Sequence, residues 1–278
     1  MTKSKLFHLK NEMLGANFLA NFIGVFFVNA MLFVAEGYPG RQIWQHPLPY
    51  WVDVLFTPFA FTFVTVMTLL YEKPIRRYLN LSFKQTAIPP DLESKARQRL
   101  LNAPFVLIAL SFSMWLLAAT IYPTIHWAYG SGLNMVQRAL YNALSTGVIT
   151  VTIAFFLLEH ILQKKLAPLF FPNGGLTTIP RTLRIRIRTR LVALLFACNL
   201  IPLISIMQIL QRITSTQQDL SIAIQQLRSA IFTNAFIFLG IGIFLTMLLG
   251  RNLSIPFTEI VETLRWVRNG RFDKKVQV

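Results

Sequence analysis

Six long apolar stretches are the feature that most restricts how this chain can fold. Each is close to the ~20 residues that an α-helix needs to cross a bilayer. They lie at residues 13–35, 52–71, 104–123, 139–162, 190–210 and 229–250. Of the 278 residues, 54% are hydrophobic and only 14% are charged, whereas soluble domains have about 25% charged residues. The sequence therefore predicts an all-α polytopic membrane protein with six transmembrane helices, arranged as three hairpins.

The distribution of positive charge predicts the orientation of these helices. All but four of the 27 Lys and Arg residues fall in segments on the same side of the membrane as the N-terminus. The exceptions are Arg41, Arg138, Arg212 and Arg228. Because Lys and Arg concentrate in cytoplasmic segments, both termini are expected in the cytoplasm, with the protein in a bacterial inner membrane. This distribution also accounts for the net charge of +16 without nucleic acid as a partner.

An internal repeat supports the three-hairpin arrangement. Residues 88–100 and 179–191 both read I-P-x-x-L-x-x-[KR]-x-R-x-R-L, and each copy precedes a predicted odd-numbered span. Shared constraints on entering the membrane could produce part of this similarity. The second copy contains a basic cluster expected at the membrane edge, where it would mark topology or hold anionic lipid headgroups. The cluster consists of Arg184, Arg186, Arg188 and Arg190.

The segment after the sixth span has the most specific pattern. Pro256 is suited to the first turn of a new helix, and Ile260, Leu264 and Val267 follow at spacings of four and three, on one helix face. Gly270 is a typical C-terminal stop. A helix with one narrow apolar stripe needs a partner, although an amphipathic tail lying on the membrane is an alternative.

This pattern resembles the first helix and the start of the connector of a HAMP domain. The resemblance divides the chain into a six-helix transmembrane sensor domain, residues 1–250, and a partial HAMP domain, residues 251–278. In that family the helices form a parallel four-helix bundle in a homodimer and relay motion from the last membrane helix to an output domain. The resemblance implies a homodimer formed through the HAMP helix and span six. It also implies a second HAMP helix and an output domain outside this sequence.

Most of the chain is also similar to bacterial class III adenylate/guanylate cyclases with six membrane spans. The similar segments are residues 93–105, Trp115 to Leu117, residues 179–191 and residues 199–203. The similarity implies a sensory region that controls a cyclase making cAMP, whose absent catalytic domain would need ATP and Mg or Mn. No catalytic residue and no cofactor site of that family is expected in this chain. A sensor histidine kinase or a chemoreceptor could have a similar input region.

The predicted spans contain few polar residues that could take part in chemistry at mid-membrane. A small-solute transporter or a membrane anchor therefore stays open as an alternative, but ion coupling is disfavoured. His46 and His126 lie in outer loops, yet no spacing supports a metal site with Asp53 or Glu36. Glu159, with the adjacent histidine, is expected to form an interfacial salt bridge or a pH-responsive pair.

Two positions are candidate hinges in the relay. Pro202 interrupts span five, where it should bend the helix or free a carbonyl group, although a packing role is the simpler explanation. Gly250 ends span six, directly before the predicted HAMP segment. The outer connections are too short for a separate ligand-binding domain, so the unknown stimulus is expected to act on the helices themselves, within the bilayer.

Overall fold

Helices make up the whole of the regular structure in the described part of the chain. The computed structural model describes residues 3–35, 50–172, 182–183 and 220–268, with isolated positions 195, 199, 203 and 206. The helices are α1 (Lys3–Ala35), α2 (Tyr50–Phe83), α3 (Pro90–Ala128), α4 (Gly132–Ile161), a π-helical turn (Leu162–Leu166), α5 (Ala167–Phe170) and α6 (Leu220–Arg268).

Four of the described helices are long and apolar enough to cross a membrane. The qualifying segments are Val54–Phe83, Pro90–Ala128, Gly132–Phe170 and Leu227–Phe244. They coincide with predicted spans two, three, four and six, and α1 contains predicted span one. Only positions 195, 199, 203 and 206 of predicted span five are described, and Pro202 falls outside the described residues. Large apolar side chains such as Leu55, Phe22 and Phe59 are more than half exposed, as expected for a surface that faces lipid rather than water.

Helices two, three and four extend beyond the predicted spans, and this changes one predicted connection. The predicted outer segment 124–138 is mostly helical, and only residues 129–131 separate α3 from α4. The turn is closed by backbone hydrogen bonds, including Ser131 N–H to His126 O at 3.0 Å. Gly130 has a φ of 69°, a left-handed conformation that favours glycine at the end of a helix.

The start of α3 shows why the first copy of the repeat begins a helix. Pro89 is extended and Pro90 takes the first helical position, where a missing N–H group has no cost. Asp91 and Glu93 lie in the first turn, where their negative charges interact favourably with the positive end of the helix dipole. Glu93 also pairs with Arg97, one turn later, at 2.5 Å.

The described helices pack on neighbours in the chain and also on helices further along it. The most extensive contacts join α3 to α4, α1 to α4 and α2 to α3, whereas α1 and α2 touch much less. Close approach of α1 to α4 depends on Gly24, since a Cβ atom there would overlap the side chain of Thr150. At Gly147 of α4, a Cβ atom would lie 2.8 Å from that of Trp115 in α3. Small residues at these crossings therefore set which helices are neighbours.

Helix α6 is continuous through the predicted boundary between the two domains. It runs for 49 residues, from Leu220 to Arg268. No new helix begins at Pro256, because that residue lies inside α6. At about 1.5 Å per residue, α6 is about 73 Å long, more than twice the ~30 Å hydrocarbon core of a bilayer.

Candidate functional site

The predicted relay residues lie on α6. Pro256, Ile260, Leu264 and Val267 all belong to its helical backbone, but their side chains fall outside the described part of the structure. Gly270 lies beyond the last described residue, and the basic cluster of Arg184, Arg186, Arg188 and Arg190 is also outside the described residues. The structure therefore places four predicted relay positions on one helix and leaves the other predicted positions untested.

The candidate hinge at Gly250 lies within α6 and is exposed. A Cβ atom at this position would meet no atom within 4 Å. The glycine is therefore not required by close packing within one chain. The helix passes through it without a break, so the apolar segment and the predicted HAMP segment form one rod.

The inner face of α6, defined by Asn234, Phe238 and Ile241, attaches this rod to the bundle. These three side chains are 3%, 6% and 4% exposed, and α6 packs on α1 and α4. Phe238 and Ile241 belong to the main apolar core. One helix face therefore makes all of the buried contacts that the described part of the structure gives to α6.

An open groove of about 790 Å³ runs beside this inner face. It is lined by α6 residues that include Asn234, Gly242 and Thr246, and by Ile206 of predicted span five. Its walls are almost entirely apolar. The groove marks where α6 and the fifth predicted span come near each other.

The basic end of the bundle is where the start of α1, the end of α2, the start of α3 and the end of α4 meet. Glu72, which is 3% exposed, pairs with Arg76 at 2.9 Å. Arg76 also donates a hydrogen bond to Asn11 Oδ1 at 3.0 Å, which joins α2 to α1. Lys165 pairs with Glu12, which joins the π-helical turn after α4 to α1. These contacts place the ends of α1, α2 and α4 on the same side of the bundle.

Lys10 adds another link at the basic end. Its ammonium group donates a hydrogen bond to Asn80 Oδ1, again between α1 and α2. Burial, and next the positive charge of Arg76, lower the pKa of Lys10 below its ordinary value. Positive charges are therefore crowded at this end as well as numerous in the sequence.

Two arginines connect α3 to α2 and to Phe171, the residue directly after α5. Arg99 donates a hydrogen bond from Nη1 to Tyr71 O at 2.8 Å, and the Tyr71 hydroxyl donates to Arg99 O at 3.0 Å. The Arg99 guanidinium lies 5.3 Å from the centre of the Tyr71 ring, and Arg97 lies 5.2 Å from that of Phe171. Cations over aromatic rings are attracted to them. The basic residues of the first repeat copy thus hold helix ends together, in addition to any role in topology.

Glu159 lies near the end of α4, directly before the π-helical turn. It is 7% exposed in α4, and Gln163 donates a hydrogen bond to its Oε1 atom at 3.4 Å. Gln163 belongs to the π-helical turn, a geometry that is frequent at functional sites. Glu159 is therefore a buried group beside an irregular turn, and its expected salt bridge or pH-responsive pair stays a prediction.

Two polar links cross between α1 and α3 further along the bundle. Asn17 and Ser111, each 2% exposed, exchange hydrogen bonds at 3.0 and 3.1 Å. One turn later along α1, Trp115 Nε1 donates to Asn21 Oδ1 at 3.1 Å. Polar side chains inside a membrane commonly join helices in this way. Sequence analysis missed these pairs, because spacing along one helix does not reveal the facing helix.

The histidines do not form a metal centre in the described part of the structure. No group of three or more His, Cys, Asp or Glu side chains there could hold a metal ion. His126 lies in α3 and is 6% exposed, whereas His46 and Glu36 fall outside the described residues.

Comparisons with protein families, with curated proteins and with solved structures gave no match to this chain.

Proposed function

We propose that this protein is a membrane-embedded sensory region that relays a signal along α6 to a cytoplasmic output domain. The observation that carries the proposal is the continuity of α6. Its apolar segment ends near Gly250, and residues 251–268 extend the same helix by about 27 Å. A rotation or translation of the membrane segment would therefore reach Arg268 without loss in an intervening loop.

The charge distribution supports a cytoplasmic location for the far end of α6. The basic end of the bundle has the composition of a cytoplasmic membrane face, and α6 ends with Arg265 and Arg268. We therefore propose a multi-pass protein of a bacterial inner membrane with both chain ends in the cytoplasm. The bilayer itself is then its immediate environment and a possible source of the stimulus.

The pattern from Pro256 to Val267 supports a HAMP-type relay in a homodimer. Such an element has two packings of similar free energy, so a small displacement at the membrane selects one of them. A stimulus can do so only by its difference in affinity for the two states. We propose a class III nucleotide cyclase as the output domain, and a histidine kinase or chemoreceptor as the alternative output.

The decisive first observation is the genomic sequence that follows the codon for Val278. A cyclase domain there supports the proposed output, a kinase or methyl-accepting domain supports the alternative, and a stop codon contradicts the relay.

A functional test uses the receptor encoded by that longer reading frame. Ile260→Glu and Leu264→Glu each place a charge on the apolar stripe and should lock or abolish the output. Thr258→Glu is the matched control, because it puts the same charge on the opposite side of α6. cAMP production is the measurement for a cyclase output. Unchanged output and response in both stripe variants would refute the relay.

A further inference from the structure

A second open groove, of about 430 Å³, lies on the surface of α2. Its walls are almost entirely apolar, and all of its lining residues belong to this one helix. Phe59 and Val66 are 55% and 47% exposed, so the groove opens on the outside of the bundle. The lining residues form two rows with a spacing of four, which are Pro58, Thr62 and Val66 in one row and Phe59, Phe63 and Met67 in the other.

The face of α2 that contains this groove becomes basic toward the basic end of the bundle. Lys73 and Arg77 follow Val66 in the sequence, and at 100° per residue both lie within about 20° of it around the helix axis. Both side chains are exposed. Leu70, which is 59% exposed, lies between the groove and the two cations. One continuous outer surface of α2 therefore has an apolar groove followed by two positive charges.

The two cations have no anionic partner in the described part of the chain. Neither Lys73 nor Arg77 pairs with an acidic side chain there, whereas the neighbouring Arg76 pairs inside the bundle. Lys73 and Arg77 are one helical turn apart, a spacing at which like charges repel. Lys10 brings a further positive charge to this end of α2 through its hydrogen bond to Asn80. An anion placed between Lys73 and Arg77 would offset this repulsion.

The dimensions of this face match one phospholipid molecule. At about 1.5 Å per residue, the groove lies about 9–22 Å from Lys73 along α2. One leaflet contributes about 15 Å, half of the ~30 Å hydrocarbon core. A phosphate group held at Lys73 and Arg77 would therefore place its acyl chain along the groove. A soluble anion would leave the groove empty, and an uncharged apolar molecule would leave the two cations without a partner.

We propose that this face of α2 binds one anionic phospholipid from the leaflet at the basic end. Its phosphate would lie between Lys73 and Arg77, and one acyl chain would lie in the groove. Positive charge that only sets topology depends on the number of cations in a segment and does not need to be in phase with a groove. The site is separate from the arginine cluster at residues 184–190, and the inference does not depend on the proposed relay along α6.

The headgroup contact can be tested by native mass spectrometry, which resolves single bound lipids on the whole chain in detergent. Phosphatidylglycerol should bind more tightly than phosphatidylcholine with the same acyl chains. Each cation near an anionic lipid contributes about fivefold in affinity, so Lys73→Gln combined with Arg77→Gln should weaken phosphatidylglycerol binding about 25-fold. Binding of phosphatidylcholine should not change in this variant.

The matched control removes the same charge from the same end of the bundle. Lys95→Gln combined with Lys164→Gln changes two exposed cations that lie outside α2 and should leave the first bound phosphatidylglycerol as tight as before. Equal affinity for the two lipids would overturn the inference. So would an equal loss of phosphatidylglycerol binding in the test and control variants.

The acyl-chain contact needs its own test. Thr62→Phe fills the groove and should weaken phosphatidylglycerol binding several-fold, whereas Leu116→Phe, at an exposed apolar position of α3, should not. In lipid nanodiscs, phosphatidylglycerol with a photoreactive group in its acyl chain should label residues 58–67 more strongly than the matching phosphatidylcholine. Excess glycerol phosphate, which has no acyl chain, should not displace the lipid. Displacement by glycerol phosphate, or binding that Thr62→Phe leaves unchanged, would contradict a site built for a whole phospholipid.

Discussion

The Asn17–Ser111 pair should stabilise the contact between α1 and α3 by an amount that can be measured. Ser111→Ala removes both hydrogen bonds and leaves the Asn17 amide buried without these partners, which costs about 2 kcal/mol. Hydrogen bonds between membrane helices contribute about 0.6 kcal/mol on average and up to about 1.7 kcal/mol. Since the pair exchanges two bonds, the expected coupling energy is about 1 kcal/mol.

A double-mutant cycle with Asn17→Leu and Ser111→Ala measures this coupling. The free energy of unfolding is followed by reversible unfolding of the purified protein in mixed detergent micelles. Ser113→Ala is the matched control, because Ser113 is exposed and donates only to the Leu110 carbonyl of its own helix. It should change the free energy of unfolding by less than about 0.5 kcal/mol.

The reasoning is refuted if the two substitutions are additive within about 0.3–0.5 kcal/mol, which is the usual limit for independent sites. It is also refuted if Ser113→Ala costs as much as Ser111→Ala. Either result would mean that the buried pair does not couple α1 to α3.

Three further predictions concern packing, the basic end and the relay. Gly147→Val should destabilise the protein by about 1–3 kcal/mol through overpacking. Gly15→Ala, with nothing within 4 Å of its Cβ atom, should instead stabilise the protein by about 1 kcal/mol. Thermal unfolding measures both effects. Glu72→Gln should lower the free energy of unfolding by less than the roughly 3–5 kcal/mol lost when one partner of a fully buried ion pair is removed, because the Arg76 side chain is 21% exposed. The same unfolding assay tests this. One residue inserted after Gly250 rotates the rest of α6 by about 100° and should abolish the output response. Seven inserted residues make about two full turns, so they restore the original orientation and should restore the response. A response that survives the single insertion contradicts the relay.

Counting apolar residues predicted the existence of the described long helices but not their ends. A run of about 20 apolar residues reflects the thickness of the bilayer, whereas a helix continues as long as its backbone remains hydrogen-bonded. Helix α3 therefore runs to Ala128, past the predicted end at residue 123, and leaves a turn of three residues before α4. The more extensive packing of α1 on α4 than on α2 was not predictable for a related reason, since neighbours are chosen by fitting surfaces rather than by chain order.

Contacts within one helix were predictable, but contacts between helices were not. Glu72 and Arg76 are four residues apart, a spacing at which opposite charges meet on a helix. The partner of Arg76 on α1, Asn11, depends on how two helices are aligned along the bundle. No pattern in a single sequence gives that alignment, so the polar contacts between helices at the basic end are seen only in the structure.

The way α6 is held explains why it is the best candidate among the described helices for a moving part. Its inner face contributes Asn234, Phe238 and Ile241 to the buried interior, whereas α3 and α4 are packed together over much of their length. Within the described residues, shifting α6 would break fewer contacts than shifting either of those helices. The helical backbone of α6 runs for 49 residues without a break, so a displacement of its membrane segment has a direct path to Arg268. A continuous helix that one face holds on the described helices is suited to the proposed two-state relay.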